Sequence, residues 1–199
     1  MILSTQEIQK KLATEFANRA NWHLKRSDYD RAIADSTQAI RLEPKYAFAF
    51  AQRGLAYSNK RDYDRAIADF TQAIRLEPKY VFAFAERGLA YSNKKDYDRA
   101  IADFTEVIRL DPTLFGVWTA RGDAYFSKKD YDSAIVDFTE AIRLEPKVTL
   151  GFISRALAYR AKGWIDHTIA DCSEAIRARS QVRFSLCDSR ARIFREEGL

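Results

Sequence analysis

Five arginines and five aspartates recur in a fixed register along the 199-residue chain. Arg19, Arg53, Arg87, Arg121 and Arg155 are each followed 16 residues later by Asp35, Asp69, Asp103, Asp137 and Asp171. Guanidinium and carboxylate at a constant separation can form a ladder of ion pairs between neighbouring elements. The alternative is a basic track open to an anionic partner. That both residue types recur together favours the ladder. Residues that ordinarily carry catalysis or bind metal are sparse. Two His and two Cys fall short of a disulfide framework or the usual structural zinc set. The seven Gly are solitary, so no glycine loop cradles a phosphate. His23 stands where other copies of the pattern have tyrosine, and reads as a core residue; His167 reads as surface. Cys172 stands where others have phenylalanine, and reads as a buried thiol. A disulfide from it to Cys187 is disfavoured in a reducing compartment. Carboxylates are plentiful but repeat in every copy, whereas an active site in a repeat array is ordinarily unique. The sequence predicts a non-enzymatic protein with no catalytic residue, no metal site and no cofactor.

The elements that must position these residues follow from self-similarity. Arg-Gly-Leu-Ala-Tyr-Ser-Asn-Lys occupies 53–60 and 87–94. Asp-Tyr-Asp-Arg-Ala-Ile-Ala-Asp occupies 28–35, 62–69 and 96–103, and Ala-Ile-Arg-Leu-Glu-Pro-Lys occupies 39–45, 73–79 and 141–147. The period is 34 residues. It predicts one domain over 1–199: a leader at 1–12, repeats at 13–46, 47–80, 81–114, 115–148 and 149–182, and a capping helix at 183–199. Phe184, Leu186, Ile193 and Phe194 supply that cap's apolar residues.

Within the second repeat, Phe50, Gly54 and Tyr57 share one helical face, and Tyr63, Ala66, Ile67, Phe70, Ala73 and Ile74 form a second apolar stripe. Asp62 is placed to cap the second helix and Pro78 to stop it. Ser4 and Glu7 form a capping-box pattern, so the first helix is expected to begin near Thr5. Gly54, Gly88 and Gly122 are expected where two helices touch, with Ala66, Ala100 and Ala134 facing them. Each repeat therefore reads as helix, tight turn, helix, stop.

Composition agrees. With 7 Gly and 4 Pro, the chain is too poor in turn residues for a hairpin-built fold. It has 33 Lys+Arg against 28 Asp+Glu and a net charge of +5, which argues against nucleic acid as the main partner. No apolar run approaches the roughly 20 residues that span a membrane, and no signal pattern opens the chain. The expectation is a cytoplasmic protein that does not engage membranes.

The arrangement aromatic-x-x-x-Gly-x-x-Tyr, then Ala-x-x-x-Phe-x-x-Ala, then Pro resembles the tetratricopeptide repeat. Phe50, Gly54, Tyr57, Ala66, Phe70, Ala73 and Pro78 carry it in the second repeat, and Trp118, Gly122, Tyr125, Ala134, Phe138, Ala141 and Pro146 in the fourth. The resemblance implies an all-α fold, a right-handed α-solenoid of antiparallel helix pairs. It also implies a concave groove lined by the first helix of each repeat. The candidate groove residues are Asn21, Phe48, Gln52, Leu55, Asn59, Phe82, Glu86, Leu89, Asn93, Thr119 and Asp123. One branch of the family grips a C-terminal carboxylate with lysines, asparagines and an arginine. The matching residues here are Ala17, Asn21, Gln52, Phe82 and Glu86, of which only Asn21 fits, so that ligand is not expected.

The function implied is a protein-interaction module that holds a peptide or helical segment of another protein in the groove. The alternative is a self-associating structural module, a homo-oligomer. RNA or an acidic partner at the Arg-rich end (Arg177, Arg179, Arg183, Arg190, Arg192, Arg195) is less favoured. The aromatics that would stack bases mostly occupy core positions.

Overall fold

The computed structural model describes residues 4–178. The predicted cap at 183–199 lies outside them. Among the described residues the chain is all helical and packs into two compact units, Met1–Leu110 and Asp111–Leu199. The first holds α1 (Thr5–Lys25), α2 (Tyr29–Leu42), α3 (Ala47–Asn59), α4 (Tyr63–Leu76), α5 (Val81–Asn93) and α6 (Tyr97–Leu110). The second holds α7 (Phe115–Ser127), α8 (Tyr131–Leu144), α9 (Thr149–Ala161) and a final helix, α10, over 165–178. The fold class is that of an α-solenoid built from helix pairs. No helix among the described residues is long and apolar enough to cross a membrane.

The helix ends follow from side-chain chemistry. Ser4 accepts from the Glu7 amide while the Glu7 carboxylate accepts from the Ser4 amide, and α1 begins at Thr5 as the capping box predicts. Asp28, Asp62, Asp96 and Asp130 each accept a backbone N–H three residues on. Such caps satisfy amides that the helix itself leaves orphaned. The second helices stop at Leu42, Leu76, Leu110 and Leu144, two residues before each proline.

The turn inside each pair is one device used repeatedly. Arg61 lies at φ 62°. Its N–H donates to the Ser58 carbonyl and the Asp62 N–H donates to the Tyr57 carbonyl, both at 2.9 Å. This is a Schellman ending, in which a left-handed residue reverses the chain and satisfies the last carbonyls. Asp62 then serves at once as the end of one helix and the cap of the next. Ser27, Lys95 and Lys129 repeat the left-handed position, and only the last pair places a glycine there, Gly163 at φ 76°.

The seat between paired helices is filled by a ring. A Cβ added to Gly54, Gly88 or Gly122 would lie 2.9, 2.7 or 2.6 Å from the ring of Phe70, Phe104 or Phe138. The glycine therefore lies directly against a phenylalanine ring of the second helix. Ala66, Ala100 and Ala134 are fully buried. Those three rings are at most 1% exposed, and burying each contributes about 1.5–3 kcal/mol. In the first and fifth repeats both members change together: Ala20 stands with Ser36, and Ala156 with Cys172. A methyl on the first helix accompanies a small residue on the second.

Cys172 is exposed, a correction to the buried thiol expected of a phenylalanine position. It lies on α10. Ile165, Ile169 and Ile176 on the same helix are likewise exposed. His23 is buried as expected, with Nε2 3.6 Å from Asp35 and Nδ1 3.7 Å from Asp28. His167 is exposed and packs against the rings of Tyr159 and Trp164.

A lysine in the left-handed region carries a Cβ penalty that glycine avoids. Lys95→Gly is expected to stabilise the protein by about 1 kcal/mol, read as a higher urea midpoint; a lowered midpoint would contradict the turn geometry.

Candidate functional site

In the first unit α1 touches α3 and α3 touches α5, whereas α2, α4 and α6 do not touch one another. The first helices of the pairs thus lie closer together than the second. The face they line is the inner, concave one. On α3, Phe48, Gln52, Leu55 and Asn59 follow spacings of four, three and four, which keeps them within about 60° of helix circumference. Phe82, Glu86, Leu89 and Asn93 repeat that stripe on α5.

The two stripes are not equally open. Phe48 is half-buried against the cluster of Ala17, Ala39 and Ala49, and Leu55 against that of Ala51, Ala66 and Phe70. Phe82 and Leu89 are more accessible, at 37% and 40%. The amides at the end of each stripe are turned inward on their own helices: Asn59 Nδ2 donates to the Leu55 carbonyl and Asn93 Nδ2 to the Leu89 carbonyl, both at 2.9 Å. Their carbonyl oxygens remain as acceptors. Gln52 is buried, and its Oε1 has no hydrogen-bond partner. Glu86 is half-buried and forms no ion pair among the described residues; burial raises its carboxyl above the usual range. On α1, Asn21 is half-buried.

In the second unit, Thr119 is buried and its hydroxyl donates to the Phe115 carbonyl. Asp123 keeps a solvent-exposed edge, yet protein crowds its other sides and desolvation pushes its carboxyl up to about 6. The wet edge screens much of the electrostatic cost. Leu150, Ile153 and Leu157 form an apolar strip on α9, each at least 40% exposed.

The arginines do not line this face. All five guanidinium–carboxylate pairs form, bidentate in every case: Arg19–Asp35, Arg53–Asp69, Arg87–Asp103, Arg121–Asp137 and Arg155–Asp171. The basic track gives way to the ladder. Arg53, Arg87 and Arg155 also donate to Thr37, Thr71 and Thr139 of the preceding pair. Each arginine therefore ties its own pair together and holds the pair before it. Rings three residues earlier support the cations: Phe16, Phe50, Phe84 and Trp118 lie 4.9–5.7 Å from them. The threonine role went unread in the sequence, although a threonine recurs at 37, 71, 105 and 139 with the same period. At the Arg-rich end, Arg177 pairs with Glu174, and Arg179 onward lies outside the described residues.

A helix-pair repeat whose pairs stack through a recurrent side-chain ladder defines the class of this chain as a helical repeat protein. Family models described as tetratricopeptide repeat match residues 51–115 and 116–148. The chain belongs to the tetratricopeptide repeat family, which supports a protein–protein interaction scaffold. Its fold is similar to a crystal structure of MamA (TM-score 0.79, 20% identity, covering 82% of this chain and 96% of that one). It is also similar to a MamA RS-1 double mutant (TM-score 0.81, 20% identity, 90% and 98%). MamA residues 41 to the end from Desulfovibrio magneticus RS-1 match at TM-score 0.77 and 19% identity, covering 92% and 98%. At such identity the likeness speaks to the fold. No curated protein matches the sequence.

Arg87 and Asp103 are 16% and 7% exposed in their side chains. Removing one partner strands a desolvated charge, whereas replacing both by apolar residues strands none. Arg87→Met is expected to cost about 3 kcal/mol in urea denaturation, and adding Asp103→Leu to restore most of it. Additive losses in the double variant would show that the pair is not coupled.

Proposed function

We propose that the concave face of α1, α3 and α5 binds a segment of another protein, and that the chain works as a non-enzymatic scaffold. The observation that supports this reading best is the exposure of Phe82 and Leu89 on an inward-curving surface whose backbone is fixed by buried pairs beneath. Fixing that backbone in advance lowers the ordering cost of binding, so a modest apolar contact can yield useful affinity. A helix or extended segment lying across successive inner helices meets the same stripe twice.

A second reading is favoured by the α9 strip. Leu150, Ile153 and Leu157 present exposed apolar surface, and a second copy of this chain is one way to bury it. Light scattering over a range of concentrations separates the two: self-association raises the mass with concentration, and scaffold binding alone leaves it at one chain.

Phe82→Asp with Leu89→Asp is the direct test of the groove. Both side chains are partly open, so the variant is expected to keep its helical circular dichroism while losing partners captured by the intact chain, scored by mass spectrometry. Undiminished capture would place the binding surface elsewhere.

A further inference from the structure

The reading above leaves one chemical feature of the concave face unused. Gln52 and Glu86 occupy the same place in successive repeats, each one turn after the phenylalanine and three residues before the leucine of its stripe. Both present acceptor oxygens. Gln52 is 6% exposed, and its buried Oε1 is without a donor. Glu86 forms no ion pair, although its neighbour in sequence is Arg87, because that guanidinium is held by both oxygens of Asp103 and by Thr71. On the ladder Asp35, Asp69 and Asp103 are paired with arginines, and Asp62, Asp96 and Glu106 with arginines three residues on.

A half-buried carboxylate and a buried amide oxygen without donors are unfavourable in the free protein. The carboxylate, which keeps some exposure, is well matched to a ligand that brings several N–H donors and a positive charge. Phe82 and Leu89 flank Glu86 with accessible apolar surface, and Leu55 flanks Gln52. Asn59 and Asn93, with their Nδ2 groups bonded to their own helices, add acceptors and not donors. The face therefore offers acceptors framed by apolar side chains. An acidic segment would find the Glu86 carboxylate opposing it.

Resting on the groove reading, we propose that the concave face of the first unit recognises a protein segment that combines a lysine or arginine with apolar side chains. The cation is received by the half-buried Glu86 carboxylate, and the apolar groups lie on Phe82, Leu89 and Leu55. The apolar contacts supply area. The cation supplies selectivity, because charge complementarity discriminates between partners more strongly than it adds affinity.

The test uses the full chain and three short fluorescent peptides of the same leucine pattern, with lysine, glutamine or glutamate at the remaining positions. Fluorescence anisotropy is expected to show the lysine peptide binding about tenfold tighter than the glutamine peptide, with the glutamate peptide weakest. Glu86→Gln is expected to collapse the lysine preference, and Glu86→Lys to reverse the order. Since Glu86 lacks a cation in the free protein, Glu86→Gln should melt no lower than the wild type, which separates recognition from folding. A lysine preference that survives Glu86→Lys, or three peptides bound alike by the wild type, overturns the proposal. In the latter case, loss of all three on Phe82→Asp with Leu89→Asp keeps the groove reading, and no loss removes that as well.

Discussion

A phenylalanine ring resting on a bare α-carbon sets how closely the two helices of a pair approach. Gly54, Gly88 and Gly122 provide the seat, and Phe70, Phe104 and Phe138 fill it so tightly that a methyl group would meet the ring below van der Waals contact. Everything outside the seat is arranged around that approach. The buried alanines close the space beside the ring, the left-handed turn joins helices held at that distance, and the inner stripe is turned away from the partner helix. Where the seat carries a methyl, at Ala20 and Ala156, the ring is absent and Ser36 or Cys172 stands instead. Two complementary solutions thus occupy one position. Their difference is local volume, to which close-packed interiors respond strongly.

The second constraint acts between pairs. Close packing fixes a distance but tolerates sliding, whereas a bidentate guanidinium pair has one geometry. Arg53 and Arg87 each hold an aspartate of their own pair and a threonine of the preceding one, so register is set by hydrogen bonds with defined directions. Lys60–Asp30 and Lys94–Asp64 add surface ties across the same junctions; exposed pairs of that kind contribute little to stability. With most charge of the first unit committed to internal pairs, the isolation of Glu86 becomes informative. Its carboxylate sits half-buried on the inner face, without a cation among the described residues.

Much of this was legible in the sequence because it recurs. The 34-residue period fixed the helix pairs, the aspartates and prolines marked the helix ends, and the joint recurrence of arginine and aspartate pointed to the ladder. What escaped was contact information that spacing does not carry. A glycine and an alanine in register suggested that they face one another, and only three-dimensional packing shows how closely a phenylalanine ring approaches that glycine. The reversal at Ser27, Arg61, Lys95 and Lys129 uses residues that do not announce a left-handed backbone. Asn59 and Asn93 read as groove amides, yet each donates to its own helix. The concave face could be listed residue by residue, but whether Glu86 had a counter-ion depended on where Arg87 pointed. For the predicted cap and the arginines beyond Arg177, the sequence reading stands alone.

The exchange of a glycine–phenylalanine seat for an alanine–small-residue one is most directly tested by a double-mutant cycle at Gly88 and Phe104, followed by urea denaturation. Gly88→Ala in the wild type is expected to cost about 1–3 kcal/mol, because the methyl displaces a buried ring. In the Phe104→Ser background the same substitution should become stabilising, since the ring is gone and alanine exceeds glycine in helix propensity by about 1 kcal/mol. A change of sign between the two backgrounds is the result the account predicts. A Gly88→Ala effect of the same sign and size in both would contradict it.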